Sequence, residues 1–277
     1  MIGLVTDSTS QMPTALADRY GIEVVPVPVV IDDHSYLEGV DLDADAFYEM
    51  LDADPVPAVK TSQPSPGDIA RFYDAVIERG ANEILSIHVS PSMSGTLNSA
   101  RLAADHVVVP VRLVDSGTAS FGVSCCMWDA AEAVAAGAGV EEAAGIAERT
   151  AATVHSVFII QSLDFVRRGG RVGAAGVQLA DDVPVIRTDG PKMSQIGTGR
   201  GVDELCDLMA EAMSCDGRPM RAAVGIADRH AEPFWRGLHE RLRVRDDVVD
   251  LVSYRVGPSI GAFTGPGTAG GFWYPIS

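Results

Sequence analysis

The sequence predicts an α/β protein of two domains, the N-terminal one built on a mainly parallel sheet and the C-terminal one smaller and mixed. Three observations lead there. A chain of 277 residues, 47% of them apolar, is long enough for about two ordinary domains. Its first half alternates short β-branched apolar runs with amphipathic stretches, the pattern of βα units feeding a parallel sheet. Past residue 155 that alternation loosens, so the domains are drawn at 1–155 and 156–277.

Each element follows from its own signals. Residues 2–5 read as a strand, and 12–20 as a helix closed by Gly21. Residues 22–31 form one extended, proline-spaced strand, and 43–51 a helix capped by Asp43 or Asp45. An amphipathic helix at 66–79 stops before Gly80. Strands at 83–89 and 111–114 alternate with helices at 96–105, 123–136 and 140–154, and 157–161 is a further strand. Beyond the RRGGRVG stretch at 167–173 come an extended run at 183–186, the glycine-rich GTGRG at 197–201, and a helix at 202–213. A strand at 222–227, a helix at 233–242 and a last strand at 248–254 complete the pattern. The closing run, GPSIGAFTGPGTAGGFWYP, is too specific in its punctuation for a random tail. Its Phe272, Trp273 and Tyr274 read as a packed end.

Composition excludes several classes of function. Acidic residues outnumber basic ones 38 to 21, a net charge of −17, and lysine occurs only at Lys60 and Lys192. Such a surface repels phosphate backbones and anionic lipid heads, so no nucleic-acid partner is expected. The densest basic run, RLRVR at 241–245, is followed at once by Asp246 and Asp247 and reads as a solvated helix end. The cysteines at 125, 126, 206 and 215 show no CxxC spacing and the six histidines no HExxH, so neither disulfide nor metal is expected. The adjacent Cys125 and Cys126 sit in an apolar helix as small core residues. No apolar run reaches eighteen residues, and MIGLVTDSTS lacks the features of a signal peptide. The expectation is a cytoplasmic protein without integral membrane association.

In an open parallel sheet, ligands bind beyond the carboxyl ends of the strands. Here those ends carry hydroxyls: Thr6 to Thr9, Ser90 to Thr96, Asp115 and Ser116, and Gln161 and Ser162. Helix capping accounts for any one of them. Ser90 to Thr96, with four hydroxyls and a glycine in seven residues, exceeds one cap and can cradle an anion. A serine nucleophile needs a base within reach, and His88 lies two residues before this loop on a strand whose side chains alternate faces. There is no GxSxG elbow and no phosphate loop, and GTGRG lacks the third glycine of a dinucleotide fingerprint. These residues suit holding a carboxylate or phosphate better than transforming it.

Seven motifs together resemble the DegV family in order and spacing: DSTS at 7–10, TSQPSP at 61–66, SMSGTLNSA at 92–100, VDS at 114–116, RRGGRV at 167–172, TDG at 188–190 and VGPSIGAFTGPG at 256–267. The resemblance spans essentially the whole chain. It implies two α/β domains of DegV type with a long-chain fatty acid in an apolar tunnel at their interface, and no other cofactor. It further implies that the carboxylate is presented to a separate ATP-dependent fatty acid kinase for acyl phosphate formation, the binding subunit being non-catalytic. Carried over residue by residue, the head-group site is Thr61, Ser62, Ser94 and the Gly95 amide.

Two departures bear on that site. Where the family usually has histidine before Thr-Gly-Pro-Gly, this chain has Phe263, which leaves the head group to Thr61, Ser94 and Thr264, or changes the ligand, or uncouples the protein from a kinase. At 178–186, QLADDVPVI puts Asp181 and Asp182 where relatives carry a longer apolar segment with a lysine before the proline. Arg171 and Arg200 are the candidates for docking the kinase or neutralising a phosphate, or are structural arginines bonding loop carbonyls. The rival readings are a hydrolase or acyl transferase using Ser94, and a binder of another amphipathic carboxylate with Phe263 stacked on it.

Overall fold

The computed structural model describes residues 1–162, 165, 182–190 and 192–276. In chain order these form β1 (Ile2–Asp7), a 3-10 turn (Ser8–Ser10), α1 (Thr14–Tyr20), β2 (Ile22–Val25), β3 (Pro28–Ile31), β4 (His34–Leu37), α2 (Ala44–Leu51), β5 (Val59–Thr61) and α3 (Pro66–Glu78). Then follow β6 (Glu83–His88), α4 (Thr96–Ala104), β7 (Val111–Asp115), α5 (Phe121–Ala135), α6 (Val140–Ala151) and β8 (His155–Ile159). The remainder comprises β9 (Val183–Asp189), β10 (Lys192–Gly199), α7 (Gly201–Ala212), β11 (Met220–Ile226), α8 (Glu232–Leu242), β12 (Val248–Arg255), α9 (Pro258–Thr264) and β13 (Ala269–Pro275).

Two compact units result, one of residues 1–41 and 60–152, the other of 42–59 and 153–277. Residues 42–59, which the sequence places in the first domain, therefore pack with the second unit. The Tyr48 hydroxyl donates to the Val256 carbonyl at 3.0 Å, Asp45 pairs with Arg255, and Gly261 lets α9 approach the rings of Phe47 and Tyr48. Nothing local announces this attachment, because its partners lie some two hundred residues downstream.

The first unit centres on a four-stranded sheet, order β2-β1-β6-β7, with every pair parallel. Helices cover both faces. Leu4, Leu85, Ile87 and Val114 pack against α5 and α6 through Val123, Met127, Ala130, Ala143 and Ala147. On the other face Val5 and Ile84 meet Ile69, Tyr73 and Val76 of α3 with Ala100 and Ala103 of α4. Burial on both faces explains why these strands read as continuous apolar runs rather than alternating ones. Ser65 opens α3 with a capping box to Asp68, and Pro66 sits in its first turn. The expected single strand at 22–31 is two. β2 joins the parallel sheet while β3 belongs to a separate three-stranded sheet, order β4-β3-β5, because Pro26 and Pro28 lack the amides to continue one ladder.

The second unit holds a six-stranded sheet, order β10-β9-β8-β13-β11-β12, antiparallel except for β11 with β12. One face packs on α7 and α8 through Leu205, Cys206, Met209, Phe234, Leu238 and Leu242. The last strand is β13, not β12, and it lies in the middle between β8 and β11. Its Phe272, Trp273 and Tyr274 are buried, as expected of a packed end. GTGRG begins at the end of β10, an exposed edge strand that its polar residues conceal from pattern reading.

All four cysteines are buried and unbridged, and burial pushes the Cys126 thiol up and Cys206 to about 11. The arginines of RLRVR are occupied within the unit: Arg241 bonds Asp207 at 2.6 Å, Arg243 bonds Glu240 at 2.6 Å, and Arg245 bonds Asp247 at 2.7 Å. Among the described residues no helix is long and apolar enough to cross a membrane. No three His, Cys, Asp or Glu residues among them are placed to hold a metal ion.

In β13 a Cβ on Gly270 would stand 2.6 Å from the Phe158 Cα of the neighbouring strand, too close for any side chain without moving backbone. Gly270→Ala is therefore expected to lower stability by about 1 to 3 kcal/mol, the usual cost of overpacking, read from the urea unfolding midpoint.

Candidate ligand head-group site

The carboxyl ends of β1, β6 and β7 converge on one edge of the first unit, and β6 feeds the Ser90–Gly95 loop directly. The loop is organised by its own hydroxyls. Ser90 Oγ lies 2.9 Å from Ser92 Oγ and accepts from the Ser92 amide at 3.3 Å. Ser94 Oγ repeats the arrangement with Thr96, at 2.9 Å from its Oγ1 and 3.3 Å from its amide. Each serine thus turns the chain two residues on, the local bond that makes serine a turn former. Capping is part of what these hydroxyls do. Ser94 and Gly95 remain half-buried at the start of α4.

The second hydroxyl motif reaches the same place. Thr61 ends β5, and the Ser62 amide donates to the Pro28 carbonyl at 3.0 Å, which holds this turn beside β3. The next side chain, Gln63, lies against Gly95: a Cβ there would come 2.6 Å from Gln63 Cδ and 2.9 Å from Nε2. Gln63, at the end of the Thr61–Gln63 turn, thus lies over Gly95 beside Ser94. Of the residues expected at the site, Thr61, Ser62, Ser94 and Gly95 all belong to the first unit, and Gln63 links the two segments that carry them. Gln63 was not foreseen, since nothing in the sequence shows which side chain would cover the glycine.

The other predicted residues belong to the second unit or to neither description. Phe263 is half-buried in α9. The buried Thr264 turns its hydroxyl back to the Ile260 carbonyl at 3.4 Å. The loop after it is tied down by Thr268 Oγ1 to the Thr264 carbonyl at 3.1 Å, Gln161 Nε2 to the Gly267 carbonyl at 3.1 Å, and the Gly267 amide to Asp228 at 3.2 Å. Gly267 has a φ of +75°, which restricts the position to glycine in practice. Arg200 is an exposed arginine paired with Asp182, so one of the two aspartates that depart from the family pattern holds the candidate docking cation. Arg171 and Asp181 lie outside the described residues.

Beneath the hydroxyl edge lies a polar chain wholly shut off from solvent. Tyr73 donates to Ser86 Oγ at 2.9 Å, Ser86 Oγ stands 2.7 Å from His88 Nε2, and His88 Nδ1 stands 2.8 Å from Asp7 Oδ2. Ser86, His88 and Asp7 are each 0% exposed. Serine, histidine and aspartate in series are the parts of a hydrolase, yet no substrate reaches this serine, and both imidazole nitrogens are engaged. Ser94 has Thr96 as its hydroxyl neighbour, and among the described residues no base is hydrogen-bonded to it, as a serine nucleophile would need. The signal for this chain was present as two polar residues at alternate positions, 86 and 88, in an otherwise apolar strand.

Burial of the Tyr73 phenol pushes its pKa from 10.0 up to about 12, offset in part by its bond to Ser86. The unfolded chain therefore loses this proton first, so stability contributed by Tyr73 falls as pH rises from 10 to about 12. A rise of that size corresponds to about 2 to 3 kcal/mol. Over that interval the unfolding free energy of the Tyr73→Phe variant should fall less steeply than that of the wild type, measured by urea titration at successive pH values.

Three comparisons agree on the family and the fold. The DegV family model matches residues 1–276. A DegV domain-containing protein of Streptomyces coelicolor is 35% identical over 275 residues, covering 97% of this chain and 96% of that protein. Among solved structures, a DegV family protein from Thermus thermophilus, described for its fatty acid binding, superposes with a TM-score of 0.90 at 30% identity over 99% of both chains. DegV of Bacillus subtilis, described as a fatty acid binding protein, gives a TM-score of 0.86 at 28% identity over 99% of both.

Proposed function

Because this chain belongs to the DegV family, we propose that it binds a long-chain fatty acid, its carboxylate held by Thr61, Ser62, Ser94 and the Gly95 amide. The observation that carries the reading is the closure of the Thr61–Gln63 turn on Ser94–Gly95. It gathers hydroxyls and amides at one edge of a sheet, with no base among them, in a fold shared with proteins described as binding fatty acids. The chemistry suits the ligand. A buried acyl chain gains about 0.8 kcal/mol per methylene, so a long chain needs only a few polar contacts at its head.

The protein in this reading is a carrier without catalysis of its own. It presents the carboxylate to a separate ATP-dependent kinase subunit, which supplies the phosphoryl transfer and makes the acyl phosphate. Arg200, with Arg171, is assigned to that docking, and the pairing of Arg200 with Asp182 means that a partner must compete for the guanidinium. Phe263 and Thr264 are assigned to the ligand on the strength of the C-terminal motif. A phenyl ring offers no donor where a histidine would, so the head group depends more heavily on the hydroxyls of the first unit.

Native mass spectrometry of the protein as purified, followed by extraction, is expected to show one long-chain fatty acid per chain. Thr61→Ala and Ser94→Ala should each weaken its retention by about 1 to 3 kcal/mol, the cost of losing one hydrogen bond to a charged acceptor. A protein that comes off empty or carrying a non-acyl molecule, or full retention in both variants, overturns the assignment. Phe263→His, restoring a donor, is expected to tighten oleate binding by isothermal titration; a loss would show that the phenyl ring shapes the pocket instead.

A further inference from the structure

The buried chain under the hydroxyl edge has no part in holding a ligand directly, yet it lies at the root of the loop that does. We propose that Asp7 and His88 are positioning residues for the Ser90–Gly95 loop, with His88 held as the Nδ1–H tautomer. The inference rests on the reading that Ser94 and Gly95 meet the ligand head group.

The register of the sheet shows why such a link is needed. β1 and β6 pair as far as Val5 with Ser86, and β6 and β7 as far as His88 with Asp115. Past those pairs the ladders stop, and the three strand ends are tied otherwise. Asp7 accepts from the Thr9 amide at 3.1 Å and from the Thr9 hydroxyl on its own side. Across the sheet it accepts from the Val89 amide at 3.4 Å and lies 2.8 Å from His88 Nδ1. The His88 carbonyl takes the Ser116 amide at 3.2 Å and the Ser116 hydroxyl at 2.8 Å. The Ser90 amide donates to the Thr118 carbonyl at 2.9 Å. Residues 88 to 90, through which the loop leaves the sheet, are therefore fastened by the carboxylate of β1 on one side and by the chain after β7 on the other.

The tautomer follows from donor arithmetic. A carboxylate oxygen offers only lone pairs, so the imidazole nitrogen facing Asp7 Oδ2 carries its hydrogen. Nε2 is then an acceptor, which takes the Ser86 hydroxyl proton, and Ser86 Oγ in turn accepts from Tyr73. Every donor has an acceptor in the sequence Tyr73, Ser86, His88, Asp7, and the arrangement satisfies groups that would otherwise be costly at full burial. The ring thereby holds a fixed orientation, and with it the Asp7 carboxylate that receives Val89.

The test uses the full-length protein with two readouts. Backbone amide exchange at Ser92 to Thr96, measured without ligand, is expected to be at least tenfold faster in H88A than in the wild type, with α6 unchanged. Oleate affinity is expected to fall by a similar factor. H88N keeps an N–H where Nδ1 stood and is expected to recover most of both losses, a rescue that mere loss of core packing would not show. Long-range proton–nitrogen spectra of the wild type should place the His88 proton on Nδ1. A proton on Nε2, or loop exchange unchanged in H88A, overturns the proposal. Should H88A fail to fold, H88N and the wild-type spectrum decide it: H88N exchanging its loop tenfold faster than the wild type counts against it, and wild-type exchange together with an Nδ1 proton supports it. If the wild type does not bind oleate while H88A still loosens the loop, the fatty acid reading fails and the positioning role stands.

Discussion

Parallel strands stop sharing hydrogen bonds at their carboxyl ends, and in the first unit a buried carboxylate, Asp7, takes over where the ladder between β1 and β6 ends. A charged group fully removed from solvent is tolerated only when its lone pairs are filled. Four donors from two strand ends do so. The requirement works in both directions: Asp7 needs those donors, and the donors, once bound, hold the root of the Ser90–Gly95 loop beside the turn after β1.

From that root the candidate site is assembled by short-range chemistry. Serine hydroxyls fold the loop on itself, and Gln63, following the Thr61–Ser62 turn, lies over Gly95. The outcome is a set of hydroxyls and amides at one edge with the histidine withdrawn beneath it. Such an edge can hold an anionic head group without activating a serine. The same three residue types that would make a nucleophile in an open cleft, Ser86, His88 and Asp7, serve here as buried structure, and burial alone makes the difference.

In the second unit the controlling constraint is steric. β13 runs between β8 and β11, and at Gly270 and Gly271 the neighbouring backbones come too close for a side chain. The glycines that make the C-terminal run look like loop are what admit it to the middle of a sheet. The aromatic residues that follow them, Phe272 to Tyr274, are buried there. Similarly, Gly261 permits α2, from residues 42–59, to settle against α9.

Much of this was legible from the chain itself. The βα alternation of the first half, the hydroxyls beyond β1, β6 and β7, the core placement of the cysteines and the family motifs are properties of neighbouring residues, and local patterns record them. The split of 22–31 was less legible, since proline spacing is compatible with one irregular strand or two short ones. What depended on tertiary structure was every feature made by residues far apart. The attachment of 42–59 to the second unit, the central position of β13, the placement of Gln63 over Gly95 and the engagement of His88 Nδ1 by Asp7 all join segments that the sequence separates. A sequence can show that a histidine lies on a buried strand. Which carboxylate meets its Nδ1 is decided by how the strands pair, and here it is Asp7 of the neighbouring strand.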